Sequence, residues 1–499
     1  MTSANAPAIW REASDLAAII MPPFNRHGSG PFQKSRAAGG SNPRFTFLAH
    51  LLLLGAAVAT MGSAAEHASG WRAGVAAEKI TPRQPLWMSG YAVRDRPSDG
   101  IAQDLWVKAL AFEDAEGKRA VLLTADLCAI TRAVSDHVAR ELEKSHRLPR
   151  SAIMTNVSHT HCAPIITGSI PGLRILPPEG TEAIDAYTRE LEGIMTAAAR
   201  KALDSLEPAA LSWSEDEATF GINRRNNPES QAPALRAAGQ LKGPSDPRVP
   251  VLAAHNARGE LMAVLVSYAC HNTTLRIYQW HGDYAGCAQE EIQRRHPGAI
   301  ALFASGCGAD INPNPRTSVA LAEQHGRSLA DAVDRALAKP LRRVSGRFQS
   351  SFADITLTFA RRPTEAEIRE AREKIQPNRE MHQAWAEAVS RRLQTLGDDA
   401  MKHDYPIQVW KLGDLHWAAL GGEVVIDYAL RLREEFGSAL WVFGYSTDVM
   451  AYIPSERVLR EGGYEGGTSM VPYGLPGPWS AGLEEKIVGK TRELLIEEK

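Results

Sequence analysis

Along the chain, dense apolar runs of strand length alternate with apolar stripes at helical spacing. LWVKALAFED and RAVLLTAD flank the turn residues AEGK and predict a hairpin. AVSDHVARELEKSH places Val134, Val138 and Leu142 on one stripe of a helix. AIMTNV reads as a short buried strand that delivers Ser158 to His161 at its C-terminal end. TEAIDAYTRELEGIMTAAARKALDSL predicts a helix capped by Thr181, with a proline soon after Leu206. The Pro/Asn/Gly-rich stretch 221–247 reads as loop. ELMAVLVSYACH is a long apolar strand ending at His271, and GAIALFASGCGADINPNP is a strand followed by a loop. The helix TSVALAEQHGRSLADAVDRALAK comes next, and residues 364–397 pattern as one long charged helical segment. IQVWKLGDLHWAALGGE predicts a second hairpin, turning at Gly413-Asp414 and running into a helix near Glu423. LEEKIVGKTRELLIEEK closes the chain as a helix, and no internal repeat is visible. This alternation predicts an α/β fold of mixed β-sheets covered by helices, forming a single large catalytic domain.

The N-terminal stretch changes that picture. Residues 1–44 lack periodicity and are rich in Pro, Gly, Ser and Ala. Arg26, Lys34, Arg36 and Arg44 precede FTFLAHLLLLGAAVATMGSAA, which has the basic, apolar and small-residue order of a secretory signal. Cleavage is expected near Ala64-Ala65, giving an exported protein, periplasmic or secreted. The apolar run 45–61 is short for a spanning helix. The region before it is long for a signal, so Met21 is an alternative start. The expected organisation is an N-terminal extension and signal peptide over 1–65 and a catalytic domain over 66–499.

Composition narrows the function classes. With 44% hydrophobic and 23% charged residues and a net charge of -2, the chain is an ordinary globular protein with no global pull toward nucleic acid. Contact with a membrane surface is left open. The five cysteines, Cys128, Cys162, Cys270, Cys287 and Cys307, are odd in number and form no CxxC. They read as small buried residues rather than a disulfide scaffold. No Walker loop, dinucleotide fingerprint or GxSxG elbow occurs, which argues against nucleotide chemistry and the usual serine-hydrolase design.

Candidate chemistry gathers at strand ends: SHTH, His271, the GCGADINPN loop and Glu423. In α/β sheets, sites lie beyond the carboxyl ends of strands. His159 and His161 are two positions apart, so strand alternation would aim both rings at one face. His159, His271 and Glu423 would make a His₂-carboxylate set, which suits zinc with one position open for water. Each histidine taken alone reads equally well as structural. Asp283, Asp310 and Asp126 are expected either to orient a ligand histidine or to cap a loop, with capping favoured for Asp126. His281 reads as a surface histidine. Cys162 and Cys270 flank the site histidines, and alternation would turn them to the opposite face.

From about Ala73 to Gly474 the chain resembles the catalytic domain of the neutral/alkaline non-lysosomal ceramidases. VSHTHCAP resembles that family's THTHSGP, SYACHNTT its FAVHATS, FGINRRN its NINRSP and GADINPN its GDVSPN. LGGEVVIDYALRLREEFG resembles the PGE segment that opens a helix, and AYIPSERVLREGGYEGG resembles YVTTPEEY…YEGG. The resemblance implies a zinc-dependent amidohydrolase of the ceramidase type. Its one Zn2+ would be held by His159, His271, Glu423 and Tyr452. His161 would help beside the metal, Arg224 would contact substrate, and Tyr464 would donate to the developing oxyanion. Where GDVSPN carries a serine, this chain has Asn312, which cannot act as a nucleophile but can orient substrate or water. The expected partner is an acyl-amide or related small-molecule or lipid substrate. Lys499 comes too early for that family's separate immunoglobulin-like domain. Two alternatives stand beside this reading: a metal-dependent hydrolase or lyase acting on a small polar or sugar-derived metabolite, and a non-catalytic zinc-containing binding protein.

Overall fold

A computed structural model describes residues 70–375 and 378–497. The N-terminal extension and the expected signal with Ala64 and Ala65 lie outside the described residues. The strands of the main sheet are β1 (Trp71–Lys79), β2 (Trp106–Glu113), β3 (Arg119–Ala125), β4 (Ile153–Val157), β5 (Glu207–Glu217), β6 (Arg248–Asn256), β7 (Leu261–Tyr268) and β8 (Ile300–Ser305). Their order across the sheet is β8-β7-β6-β5-β1-β2-β3-β4, with Arg342–Arg343 alongside β5. β2 and β3 form the expected antiparallel hairpin, while β3–β4 and β7–β8 are parallel pairs. A second sheet comprises β9 (Phe348–Thr358), β10 (Lys402–Leu412), β11 (Leu415–Leu420) and β12 (Leu440–Phe443), with β10 and β11 joined by the expected turn at Gly413-Asp414. The fold is mixed α/β with helices covering the sheets.

The strands that bury both faces have the sequences that require it. β3, RAVLLTA, is buried from Ala120 onward, and β4, IMTNV, is buried throughout. Between the sheets, Trp410, Trp417 and Trp441 stack at 5.8 and 5.9 Å, one from each of β10, β11 and β12. Helices α1 (Arg132–His146) and α2 (Pro178–Asp204) pack against one side, with Val134, Val138 and Leu142 buried on the stripe of α1. α3 (Asp283–Arg295) and α4 (Val319–Ala338) cover the other end, α7 (Asp427–Phe436) lies by β12 and α8 (Leu483–Ile496) by β10.

Four local expectations are corrected. Thr181 lies inside α2, whose N-cap is Pro177, because Pro178 takes the first helical position where no N–H is needed. The stretch 221–247 is not all loop: Gly221–Asn223 pairs with Ile311–Pro313, and Ala232–Ala237 is a short helix. The charged segment is two helices, α5 (Glu365–Glu373) and α6 (Arg379–Leu396), because Asn378 takes a left-handed backbone conformation before α6. Glu423 lies in a two-residue strand, Glu423–Val424, that runs parallel to Tyr452–Ile453, and the following helix begins only at Asp427.

The sheet edges decide where the site sits. Asn156 of β4 receives a hydrogen bond from the Ser305 amide at the end of β8, at 2.8 Å, and Ser305 Oγ donates to the Val157 carbonyl, also at 2.8 Å. Asn156 Nδ2 donates to Gly444 O beyond β12. The C-terminal ends of β4, β8 and β12 are therefore tied together. β7, paired in parallel with β8, ends on the same side.

Candidate metal centre

His159 and His271 follow β4 and β7, Glu423 follows β11, and Tyr452 lies beyond β12. His159 follows β4 with φ of 59°, a left-handed conformation that costs a non-glycine residue energy. His159 and His161 do converge, with their Nε2 atoms 3.1 Å apart. The reason is not strand alternation, because β4 has already ended at Val157 and the turn after it sets both rings. Gly90 makes room for the second ring: a Cβ there would lie 2.3 Å from it.

Glu423 Oε2 lies 3.1 Å from Nε2 of His159 and 3.1 Å from Nε2 of His271. Tyr452 Oη stands 3.2 Å from His271 Nε2. All four side chains are buried. Zinc–ligand bonds of 2.0–2.2 Å at tetrahedral angles put neighbouring ligand atoms about 3.3 Å apart. The observed spacing is therefore that of ligands around a point. Glu423 Oε2 has no hydrogen-bond partner among the described residues, despite both imidazoles beside it. A buried carboxylate oxygen left in that state needs positive charge. On this ground His159, His271 and Glu423 form a set that could hold a metal ion.

The ring tautomers suit that role. His159 Nδ1 donates to the Cys128 carbonyl at 2.5 Å, and His271 Nδ1 to the Gly308 carbonyl at 2.8 Å. Both rings thus turn Nε2 toward Glu423. Backbone carbonyls orient the histidines, and the carboxylates expected as orienters do other work. Asp283 accepts from the amides of Thr274, Leu275 and Tyr284. Asp310 accepts from the Ile426 amide and from Asn223 Nδ2, and so ties the Glu423 segment to the Asn223 turn. Burial raises the Asp310 carboxyl to about 6. Asp126 accepts from the Trp106 amide and Gln289, the favoured capping role.

The electrostatics are those of a cation-seeking pocket. Burial alone would lower His159, but the Glu423 carboxylate and Cys128 together outweigh it and raise the imidazole to about 10. Burial, assisted by Arg224, lowers His271 to about 4. Glu423, which burial would raise, is held well below the usual carboxylate range by His159 and His271. Burial and the two neighbouring imidazoles push His161 well below its ordinary value.

Arg224 joins the remaining expected residues. It donates to Tyr452 Oη at 3.1 Å, to Asn312 Oδ1 at 3.2 Å and to Glu465 at 2.7 Å. Tyr464 packs edge-on against Tyr452 at 5.2 Å. Cys162 and Cys270 are buried outside the cluster of donors, and the five cysteines are all free thiols. His281, expected at the surface, is 4% exposed: its Nδ1 accepts from the Asp283 amide and its carbonyl from Thr160, so it braces the His161 turn. Three contributors escaped sequence reasoning. Tyr473 Oη donates to Glu423 Oε1 at 2.5 Å. Tyr445 lies 4.5 Å from the His159 ring, and Cys128 supplies the carbonyl that orients it. No spacing marks a tyrosine in a Pro/Gly-rich stretch or a backbone carbonyl.

Comparison with known proteins gives the family and the fold. Residues 71–332 match the profile of the neutral/alkaline non-lysosomal ceramidase family, N-terminal region. Neutral ceramidase of Pseudomonas aeruginosa is 25% identical over 240 residues, covering 46% of this chain and 34% of that protein. Neutral ceramidase A of Dictyostelium discoideum is 25% identical over 253 residues, again 46% of this chain and 34% of the relative. The matched region thus spans about a third of each relative's length. The crystal structure of the Pseudomonas aeruginosa enzyme superposes with a TM-score of 0.64 at 19% identity, over 86% of this chain and 76% of that one, which shows a shared fold. A ceramidase complexed with C2 superposes equally well, at 0.64 and 18% identity.

Proposed function

Because the chain belongs to the neutral/alkaline non-lysosomal ceramidase family, we propose that it is an exported zinc-dependent amidohydrolase that cleaves an N-acyl bond with water. The observation that carries this reading is the convergence of His159, His271, Glu423 and Tyr452 from four separate segments onto one point. An ion held by these residues supplies a Lewis acid and an acidified water. His161, neutral at pH 7, stands beside that point and takes a proton during attack. Arg224 and Tyr464 flank Tyr452 and meet the charge that develops on the acyl oxygen. Asn312 gives its Oδ1 to Arg224, and its amide hydrogens make no hydrogen bond among the described residues, so they are available to substrate. Water rather than a side chain is the nucleophile, since Asn312 replaces the serine of the resembled motif. The known ceramidase structure with a bound ligand supports an acyl amide as substrate class. Export rests on the sequence layout before residue 66, and among the described residues no helix is long and apolar enough to cross a membrane.

Purified protein should contain about one equivalent of zinc and hydrolyse members of a panel of fatty-acyl amides. Chelator should abolish turnover and added zinc should restore it. His159→Ala should lose both bound metal and at least a hundredfold in kcat/KM, on the scale of removing a transition-state contact. Full metal content with no turnover across amides, esters and lactones would sink the reading.

A further inference from the structure

Positive charge gathers on the outer side of His161 without matching negative charge. The Tyr91 ring lies edge-on to His161, with ring centres 4.6 Å apart. Arg94 and Arg276 each stand 5.4 Å from the centre of the Tyr91 ring. Arg316 acts electrostatically on Tyr91 and also on Arg224, which reaches Asn312 on the other side of the cluster. Four guanidiniums therefore stand near the half-buried residues Tyr91 and Asn312. The carboxylates nearby are already engaged. Glu229 pairs with Arg316, Glu465 is shared between Arg224 and Arg225, and Asp283, which also acts on Tyr91, is taken up by the amides of Thr274, Leu275 and Tyr284.

Two of these four lack a counter-ion. Arg276 is exposed and makes no ion pair among the described residues. Arg94 is 3% exposed and likewise has no carboxylate partner among them. Its bonds go to Met88 Sδ and to the carbonyls of Ile277 and His161, and its Nε has no partner. Burying a cation without an anion is costly, and here only the faces of Tyr91 and Tyr278 and the two carbonyls offset that cost. A neutral amide gains little from such a field, whereas an anionic one is drawn in and oriented by it.

We propose that this site selects amides whose leaving amine carries a carboxylate, the class of N-acyl amino acids, with Arg276 as the specificity-determining contact and Arg94 and Arg316 shaping the field. This inference rests on the amidohydrolase reading above. Hydrolysis breaks the amide C–N bond, and water's hydroxyl forms a new C–O bond to the acyl carbon. Water's remaining proton goes to the leaving nitrogen, and the substrate's own carboxylate is unchanged.

The test compares N-lauroylglycine with N-lauroylethanolamine, which share an acyl chain and differ in the charge on the amine side. Release of lauric acid by the zinc-loaded full chain is measured alongside equilibrium binding of each compound. The expected result is at least a tenfold preference for the glycine amide in both kcat/KM and binding, shrinking as salt is raised. Arg276→Ala should cut the preference severalfold through KM, and Arg276→Lys should keep most of it. Equal or reversed preference, or an unchanged ratio in Arg276→Ala, overturns the proposal. Cleavage of neither compound overturns the amidohydrolase reading instead, and the binding ratio then still decides the charge preference.

Discussion

Tyr473 holds one oxygen of Glu423 at 2.5 Å, and so leaves the other to face the two imidazoles. Removing partners of this kind weakens metal binding by roughly 10–100-fold in comparable sites. Tyr473→Phe keeps the ring and its packing, so it should lower zinc affinity by about that factor with little change in unfolding midpoint, as competition with a chromogenic chelator would show. Unchanged affinity would remove Tyr473 from the site. At this scale the sequence is informative about type and poor about partnership. His159, His271 and Glu423 stand out because each follows an apolar strand. Tyr473 and the Cys128 carbonyl do not, because what matters about them is a contact with a residue 50 or 31 positions away, and the carbonyl has no side-chain signature at all.

The α5–α6 hairpin supports that contact from outside. Trp385 of α6 donates to the Leu475 carbonyl at 2.7 Å, and a Cβ on Gly474 would lie 2.7 Å from Ala388. The loop bearing Tyr473 is thus braced by α6. α5 begins with a complete capping box, in which Thr364 accepts from the Glu367 amide and Glu367 returns to the Thr364 amide. Thr364→Ala should cost about 1 kcal/mol, read from the denaturant midpoint. Arg361 beside Glu367 holds its carboxyl down to about 2. The folded value lies below the unfolded 4.5, so the unfolded chain binds the extra proton between them. This contribution is complete above about pH 4.5 and disappears as pH falls through about 2. Glu367→Gln should therefore flatten stability against pH in that acid window and leave its shape above pH 6 unaltered. Sequence patterning found helix in this segment but ran two helices together. Helical spacing continues through 378, and the breaker pair Pro377-Asn378, which does mark the boundary, is outweighed by it.

Across the whole molecule, the site depends on distant strand ends being held together. Asn156 links β4, β8 and the segment after β12 through hydrogen bonds to Ser305, Gly444 and Ser446. Asn156→Ala would strand the buried Ser305 amide, at about 1–3 kcal/mol, while the Gly444 carbonyl would keep only its bond from Ser446 Oγ. It should lower the urea midpoint and also weaken zinc binding, because His159 and the loop that supports His271 would lose their common reference. Loss of stability with full zinc affinity would show that the ligands are positioned some other way. The sequence by itself determined the two hairpins, the strands that lead to His159, His271 and Asn312, most helices and the mixed α/β class, whereas β1, β5, β6, β9 and β12 came only with the structure. It could do so because apolar spacing and turn chemistry act over a few neighbouring residues. Only the tertiary structure decided that those ends meet, that the His159–His161 pair is formed by a turn rather than a strand, and that Arg94 and Arg276 stand beside it without counter-ions. The first and last of these are relations between segments far apart in the chain, set by sheet order and burial, and the turn is set by where β4 ends at Val157, which its apolar run does not mark.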